Sequence, residues 1–498
     1  MYSDINYSVK SNGQFAKPFT STHGVKQGCN LSPLLFNLYI NDIQDVFSTD
    51  CRPVAMDNLK INYIAFADDI VVLSETDEGL QHSIWKLDQY FSKWGLSINT
   101  SKTKVVIFNK PFKKNQKSFR TRTDTLETCK QFCYLGVNIT STGSFHAATE
   151  NLYKKAIRSL YSIYGFINLH SGKVTPSLML KLFSILVKPI ITYACEVWGY
   201  ECFKQSSVVR TFINKFYRNL LGVPPYTSTV ATHLELGVTP VDTEIKIAMI
   251  KYWFRLVQLP DNRLVSHCYK TLYKSNISDK WMTSVRNILC DSGLPYLWDT
   301  QLSVPTSDPA RTKALLHCVC RSIKDQQLQA SFEKMNSESR LKYYKLYKTS
   351  QQTSEHLKTM RQRPLYSILS KTRLGVLKLA IETGRHTKRN QKIPVGQRTC
   401  PVCTHAVIED EVHFMFECDG YTANRANFID KCKQLCHNFD NMTNTDKFIT
   451  VINSKIPPIM EITANYITDI FNIRIHALEK TSAETSKGWF TNWMSSWS

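Results

Sequence analysis

The sequence predicts an α+β fold: short strands and a few helices over residues 1–142, then a mainly helical remainder. A turn signal at Asn12-Gly13 and apolar runs on both sides of Asp68-Asp69 predict β-hairpins in the first region. From about Ser144 the period of the apolar residues changes from 2 to 3.6, which predicts helices. Cysteines and a histidine cluster within residues 400–418, a spacing typical of a small metal-binding element.

The first elements follow from local patterns. Asn-Gly tolerates positive φ at both positions, so residues 6–10 and 14–20 are expected to pair as a hairpin. Ser32-Pro33 supplies a helix N-cap and a proline at the first helical position. Residues 61–65 and 70–73 are apolar, and they predict two buried strands joined by a tight turn.

The later elements are predicted in the same way. The helix after the aspartates is expected to bury one apolar stripe, formed by Leu80, Ile84, Leu87 and Phe91. Further strands are expected over residues 105–108 and 132–139. A long helix beyond Ser144 is expected to bury a second stripe, formed by Leu152, Ala156, Leu160 and Ile163.

Composition limits the function classes. The chain has 62 Lys+Arg against 41 Asp+Glu, a net charge of +21, which indicates a polyanionic partner. Its 15 cysteines are odd in number and mostly scattered, which favours a reducing compartment over a disulfide framework. The longest apolar stretch, residues 178–199, is interrupted by Lys181, Lys188 and Pro189, so no membrane span is expected. The first residues lack a signal-peptide pattern, so we expect an intracellular protein, nuclear or cytoplasmic and not secreted.

Asp68 and Asp69 are adjacent at the expected turn. Successive strand side chains point to opposite faces, so two adjacent aspartates reach one site only at a turn. No Lys or Arg occurs between Lys60 and Lys86, so the sequence offers no local salt-bridge partner. Mg²⁺, which prefers oxygen ligands, is the natural partner of two such carboxylates. The alternative is that both are ordinary polar turn residues.

Four segments resemble reverse transcriptases, and they occur in the order of that family. The segments are residues 24–42, 66–69, 95–104 and 134–137. Phe66-Ala67-Asp68-Asp69 resembles the family's signature turn. Two later segments, Tyr193–Gly199 and Asn219–Val223, resemble the thumb and C-terminal part of non-LTR, LINE-like retrotransposon polymerases.

This resemblance implies that two Mg²⁺ ions support RNA-templated addition of deoxynucleoside triphosphates to a DNA primer or target. Asp68 and Asp69 would hold the ions. Lys102 would assist the leaving pyrophosphate, with a merely solvated lysine as the alternative. Contacts to nucleotide, template or primer are implied for a larger set: Gln27, Gly28, Ser32, Pro33, Phe66, Ala67, Asn99, Leu135 and Gly136.

The resemblance also implies a further aspartate on a strand before the glycine-containing loop, for which the sequence offers no candidate. Only 23 residues precede Gly24, and the Asn-Gly hairpin occupies them. We therefore expect a truncated polymerase with little or no activity of its own. Its palm would be incomplete: an antiparallel sheet with helices, in which one edge of the sheet is uncovered. The fingers and an N-terminal endonuclease would be absent.

On the same resemblance the chain divides into five regions. These are a partial reverse transcriptase domain (1–142), a helical thumb (143–299), a basic helical connector (300–395), a zinc element (396–440) and a helical tail (441–498).

The metal-binding pattern is C-x2-C-x9-H-x4-C, from Cys400, Cys403, His413 and Cys418. Three thiolates and an imidazole complete a tetrahedral structural Zn²⁺ site. The pattern resembles the C-terminal zinc element of LINE-like polymerases. His405 is an alternative third ligand, and a fortuitous group of buried cysteines is the alternative to a metal site.

Two basic runs are candidates for contact with nucleic acid. Residues 102–122 contain eight basic residues and no acidic one, with Phe112 and Phe119 between them, which suits phosphate contact plus base stacking. Residues 371–398 contain eight basic residues and Glu382 as the single acid. The alternative for each run is a solvated loop or helix face.

The predicted function is therefore that of an RNA-directed DNA polymerase of a non-LTR retrotransposon, with Mg²⁺ and structural Zn²⁺ and without a membrane partner. The alternative is a non-catalytic nucleic-acid-binding zinc protein derived from a retrotransposon. A purely structural zinc protein does not explain the ordered polymerase motifs.

Overall fold

The computed structural model describes residues 6–20, 24–26, 28–108, 118–170, 174–204, 207–275, 279–301, 308–385, 392–403 and 405–484. The chain forms two compact units. The N-terminal unit contains residues 1–147 and 260–277, and the helical unit contains residues 148–259 and 278–498. Gln27, residues 109–117 of the first basic run and residues 386–391 of the second lie outside the described residues.

The N-terminal unit combines short strands with helices. Its strands are β1 (Asn6–Tyr7), β2 (Lys10–Ser11), β3 (Gln14–Phe15), β4 (Phe19–Thr20), β5 (Val54–Met56), β6 (Leu59–Ile61), β7 (Tyr63–Phe66), β8 (Asp69–Val72), β9 (Lys104–Val105), β10 (Phe119–Arg120), β11 (Thr125–Thr128), β12 (Gln131–Tyr134) and β13 (Val137–Thr140). Its first helices are α1 (Ser32–Tyr39) and α2 (Asp77–Lys93). Among the described residues these strands form five two-stranded sheets and one three-stranded sheet, in which β11 runs parallel to β9.

The hairpin predicted at Asn12-Gly13 is confirmed. Lys10 pairs with Phe15 and Ser11 with Gln14. Asn12 and Gly13 have φ of +48° and +83°, the positive values that a two-residue turn of this kind requires. β1 and β4 extend the same chain reversal as an antiparallel pair.

The core of the N-terminal unit lies along α2. Thr76 caps this helix by accepting a hydrogen bond from the backbone N–H of Gly79. The predicted apolar stripe is confirmed, because Ile84 and Leu87 are buried and Leu80 and Phe91 pack beside them. Phe119 is only 2% exposed in this core, so its predicted use as a stacking platform for bases is wrong.

Two other predictions for this unit need correction. The strands beside the aspartate pair are not buried, since Ile64 is 42% and Phe66 is 63% exposed. The N-cap of α1 is Leu31, and Ser32 is already the first helical residue. Pro33 does lie in the first turn, where its missing N–H leaves no hydrogen bond unmade.

The later helices follow in chain order, with α10 belonging to the N-terminal unit. They are α3 (His146–His170), α4 (Pro176–Leu182), α5 (Lys188–Ile191), α6 (Cys195–Trp198), α7 (Val208–Leu221), α8 (Thr229–Leu236), α9 (Val241–Gln258), α10 (Leu264–Lys274), α11 (Lys280–Asp291), α12 (Tyr296–Asp299), α13 (Pro309–Ser337), α14 (Tyr344–Tyr347), α15 (Glu355–Thr359), α16 (Arg363–Arg373), α17 (Ala380–Thr383), α18 (Thr422–Lys433), α19 (Asn444–Ile452) and α20 (Pro457–Glu484).

Apolar and aromatic side chains hold the helical unit together. The predicted stripe of α3 is confirmed, since Leu152, Ala156, Leu160 and Ile163 are all buried. Phe183, in the π-helical segment between α4 and α5, stacks on Phe216 of α7 with ring centroids 3.9 Å apart. No single described helix is long and apolar enough to cross a membrane, although the bent pair 176–191 and 195–203 passes by length and composition alone.

A charged cluster is buried at the centre of the helical unit. The carboxylate of Glu235, at the end of α8, accepts hydrogen bonds from Arg373 Nε at 2.5 Å and from the Tyr344 hydroxyl at 2.8 Å. His356 Nε2 lies 3.7 Å from the same carboxylate. Arg373 belongs to the second basic run, but this ion pair places it in the core instead of at a nucleic-acid surface.

This cluster predicts that acid destabilises the helical unit. Burial lowers the pKa of His356 to about 3 from 6.5. Burial would raise the pKa of Glu235, but Arg373, His356 and Lys348 lower it to about 2 from 4.5. Both folded-state pKa values are depressed. The folded state therefore has its full stability above pH 6.5. Its free energy of unfolding decreases as the pH falls from 6.5 to 3 because of His356, and as it falls from 4.5 to 2 because of Glu235.

The measurement is the free energy of unfolding against pH. Each group in its window should contribute a slope approaching about 1.4 kcal/mol per pH unit. His356→Gln should flatten the curve between pH 6.5 and 4.5, whereas substitution of the exposed His437 by Gln should leave it unchanged. Equal curves for wild type and His356→Gln would contradict this assignment.

Candidate functional site

The Asp68-Asp69 turn joins β7 and β8. These strands pair antiparallel with Phe66 opposite Asp69, which leaves Ala67 and Asp68 as a two-residue turn. Ala67 has a φ of +53°, a left-handed conformation that costs roughly 1–2 kcal/mol for a residue with a Cβ. Such strained backbone occurs preferentially at functional sites. The turn exposes both carboxylates and the Phe66 ring.

The two carboxylates remain available to a cation. Among the described residues, neither Asp68 nor Asp69 has a side-chain hydrogen bond or an ion pair. Tyr134 lies within electrostatic range, because burial and then the charge of Asp69 raise the pKa of its phenol. The Tyr134 hydroxyl is buried without a hydrogen-bond partner. The structure therefore brings the end of β12 close to the aspartate turn.

The β12–β13 turn carries two of the predicted primer contacts. Tyr134 pairs with Val137, which leaves Leu135 and Gly136 at the tip. Their φ values of +46° and +82° are the pair of positive angles of a type I′ turn. Leu135 is 39% exposed. This turn and the aspartate turn are thus neighbouring tips of two hairpins in the N-terminal unit.

A side-chain hydrogen bond closes the glycine-containing loop before α1. The Ser32 hydroxyl donates a 2.6 Å hydrogen bond to the Lys26 carbonyl, so this buried side chain closes the loop. Gly28 has a φ of +79°, which favours glycine, and a Cβ there would meet no atom within 4 Å. Its backbone is therefore open to an approaching partner. The predicted contact Gln27 lies outside the described residues.

Asn99 and Lys102 lie in one turn after α2. The Asn99 side-chain oxygen accepts hydrogen bonds from the Ser101 hydroxyl at 2.7 Å and from the Lys102 backbone N–H at 3.2 Å. Such an Asx turn gives Asn99 a structural role. The Lys102 side chain is exposed. Within the part of the chain that the structure describes, no contact joins it to either aspartate.

The predicted metal ligands do converge. Cys400, Cys403, His413 and Cys418 each offer a ligand atom, and these atoms all lie within 4.8 Å of one another. Cys400 Sγ and Cys418 Sγ are 3.7 Å apart, and Cys403 Sγ and His413 Nε2 are 3.6 Å apart. The hydrogen bond with Cys418 lowers the pKa of the Cys400 thiol, which favours the thiolate that binds metals. These four side chains can bind one metal ion.

The third ligand is His413 and not His405. His405 is exposed, and its Nε2 lies 2.7 Å from Asp419 Oδ2, apart from the four converging atoms. His413 directs Nε2 to the cluster, while its Nδ1 lies 3.9 Å from Glu417 Oε2. This separation is longer than a hydrogen bond, so Glu417 can influence the ring only through its charge.

The metal-binding segment is attached to α20 by buried polar contacts. Arg474 donates to both carboxylate oxygens of Glu409, at 2.6 and 2.7 Å. The Tyr466 hydroxyl donates to the Met415 carbonyl at 2.6 Å. Sequence reasoning missed Arg474, because nothing local to an isolated arginine indicates a partner 65 positions away.

Three of the six described Lys and Arg residues of the second basic run serve the fold. Arg398 donates from Nε to the Ile393 carbonyl and from Nη1 to the Ile381 carbonyl. Arg385 forms an ion pair with Glu382 at 3.1 Å. With Arg373 in the core, the hypothesis of a continuous nucleic-acid surface over residues 371–398 is wrong for these three arginines.

Comparison with known proteins identifies a matching family and several relatives. Residues 2–139 match the family described as reverse transcriptase (RNA-dependent DNA polymerase). The chain is 22% identical over 262 residues to the RNA-directed DNA polymerase from mobile element jockey of Drosophila funebris, covering 51% of this chain and 28% of that protein.

Two Drosophila melanogaster proteins are also similar. The probable RNA-directed DNA polymerase from transposon X-element is 23% identical over 52% of this chain and 28% of its own length. The retrovirus-related Pol polyprotein from the type-2 retrotransposable element R2DM is 33% identical over 27% of this chain and 14% of its own length. The chain thus spans less than a third of the length of these relatives.

Proposed function

We propose that this chain acts in RNA-templated DNA synthesis, because residues 2–139 match the reverse transcriptase family and the chain is similar to retrotransposon polymerases. The reaction would add deoxynucleotides to a DNA primer by two-metal nucleotidyl transfer. Asp68 and Asp69 would hold Mg²⁺, with the β12–β13 turn beside the primer end and Gly28 beside template or nucleotide.

The exposed, unpaired carboxylates at a strained turn carry the proposal. Mg²⁺ binds through a few carboxylate oxygens and keeps several waters, which suits an open turn better than a buried cage. Bound Mg²⁺ would offset the repulsion between Asp68 and Asp69. The nearby Tyr134 hydroxyl has no partner among the described residues and would remain free to hydrogen-bond to substrate or water.

Metal mapping tests the aspartate site independently of turnover. Fe²⁺ in a Mg²⁺ site generates radicals that cut the backbone nearby, so we expect cleavage near residues 66–70 that excess Mg²⁺ suppresses. Asp69→Asn should abolish this cleavage. The matched control is Asp57→Asn, at the tip of the β5–β6 hairpin of the same unit. Equal cleavage in both variants would overturn the site.

Primer extension tests the reaction. The chain is expected to have little activity of its own, and we expect any Mg²⁺-dependent incorporation that it supports on an RNA template to fall by at least about 100-fold in Asp69→Asn, since the metals supply several kcal/mol of transition-state stabilisation. Asp57→Asn should retain the wild-type rate. If the chain binds nucleic acid but shows no incorporation that depends on Asp69, the result would instead favour a non-catalytic nucleic-acid-binding zinc protein.

The metal at the Cys₃His cluster is, we propose, Zn²⁺ in a structural role. With Zn–S of about 2.3 Å and Zn–N of about 2.0–2.1 Å, a tetrahedral site separates sulfur pairs by about 3.8 Å and sulfur–nitrogen pairs by about 3.5 Å. The corresponding separations here are 3.7 Å and 3.6 Å. Four protein ligands leave no open position, which is typical of a structural zinc site.

A further inference from the structure

The outward face of α3 combines cations with an exposed aromatic ring. At 100° per residue, Lys154, Arg158 and Tyr161 lie within about 60° of one another, opposite the buried stripe of the same helix. All three are exposed, Tyr161 by 69%. Neither Lys154 nor Arg158 forms an ion pair with a described residue. This face therefore presents two cations one turn apart and an open ring one turn further.

A third cation adjoins this face. Arg363, at the start of α16, donates through Nη2 to the carbonyl and the side-chain oxygen of Asn219, at 3.1 and 2.9 Å. Tyr164 of α3 lies within electrostatic range of Arg363, because the charge of Arg363 partly offsets the rise in the Tyr164 pKa that burial causes. Since Tyr164 is one turn from Tyr161, Arg363 continues the basic face from α3 to α16.

We infer that this surface, formed by Lys154, Arg158, Tyr161 and Arg363, binds single-stranded RNA. The cations would contact successive phosphates, and an unpaired base would stack on Tyr161. Clustered like charges are costly in the isolated protein, and a polyanion offsets that cost. An exposed ring favours single strands over duplexes, because only unpaired bases offer their faces for stacking. RNA is the expected strand because it is the template in the proposed function, on which this inference rests.

Fluorescence anisotropy of the full chain with a labelled oligouridine of about 20 nucleotides tests the inference. We expect Lys154→Gln with Arg158→Gln to lower affinity about tenfold or more and to reduce the slope of log affinity against log salt by about 1.4. Tyr161→Ala should lower affinity at least about fivefold without changing that slope, and Tyr161→Phe should restore binding.

Matched controls lie elsewhere in the helical unit. Lys313→Gln with Lys324→Gln changes two exposed cations of α13, and Tyr296→Ala removes a ring that is 53% exposed. Both should bind the RNA like wild type. Tyr161→Ala should leave binding to double-stranded RNA unchanged, and an equal loss for duplex and single strand would overturn the single-strand assignment.

Two further results would overturn the inference: oligouridine binding at wild-type strength by the α3 variants, or no salt-dependent binding by wild type. A separate result tests the proposal for the aspartate site. Asp69→Asn should bind oligouridine normally, so its loss of incorporation tests the proposed reaction and not this surface. Wild-type RNA binding by all α3 variants, together with Asp69-dependent incorporation, would retain the reaction and discard the surface.

Discussion

Replacement of Arg373 by methionine is expected to lower the free energy of unfolding of the helical unit by about 3–5 kcal/mol. Arg373 is 5% exposed, and its partner Glu235 is fully buried. Without the guanidinium, the carboxylate would remain in a low-dielectric core and would keep the Tyr344 hydroxyl, the neutral His356 and the charge of Lys348 as neighbours. The Ile452 carbonyl would also lose its 2.5 Å hydrogen bond from Arg373.

Amide hydrogen exchange of α8 and α16 measures this loss within the helical unit. Arg361→Met, at an exposed position just before α16, is the matched control and should change stability by less than about 0.5 kcal/mol. The double variant Glu235→Gln/Arg373→Met should lose less than the sum of the single losses, because no buried charge remains unpaired. Additive losses would contradict a direct interaction.

Purified chain is expected to contain about one equivalent of zinc, and its removal is expected to unfold the segment around residues 396–433. The apparent free energy of Zn²⁺ binding to a structural site is on the order of 10 kcal/mol, and it contributes directly to the free energy of folding. Hydrogen exchange should show loss of protection in α18 after chelation. Protection in the part of α20 that carries Tyr466 and Arg474 should also weaken, since both contact this segment.

Cysteine variants make this test specific. Cys403→Ser should reduce the bound zinc well below one equivalent, whereas Cys436→Ser, outside the four-residue cluster, should retain it. Replacement of zinc by Co²⁺ should produce the absorption of tetrahedral thiolate coordination. A metal-free chain with full protection in α18 would contradict the zinc assignment.

Much of the candidate chemistry was predictable because it depends on neighbours in sequence. The Asn12-Gly13 hairpin, the turn that exposes Asp68 and Asp69, and the convergence of the four metal ligands all follow from short spacings. Turn geometry is set by the φ preferences of two or three residues, and a C-x2-C loop brings two thiolates together wherever it occurs.

Burial was predicted less well, because it depends on which surfaces meet. Apolar runs beside Asp68 and Asp69 predicted buried strands, yet Phe66 is mostly exposed. A basic, aromatic-containing run predicted a stacking platform, yet Phe119 packs against the α2 core. The same residue types suit a core and a binding surface, so composition alone cannot distinguish between them.

The sequence by itself determined the periodicity of the helices, the turns and the set of candidate metal ligands, because each depends on local backbone preference or short spacing. Only the tertiary structure decided what each charge does. Arg373 meets Glu235 across 138 positions, and Arg474 meets Glu409 across 65. A net charge of +21 indicates a polyanion, but burial and long-range pairing decide which cations remain at the surface to bind it.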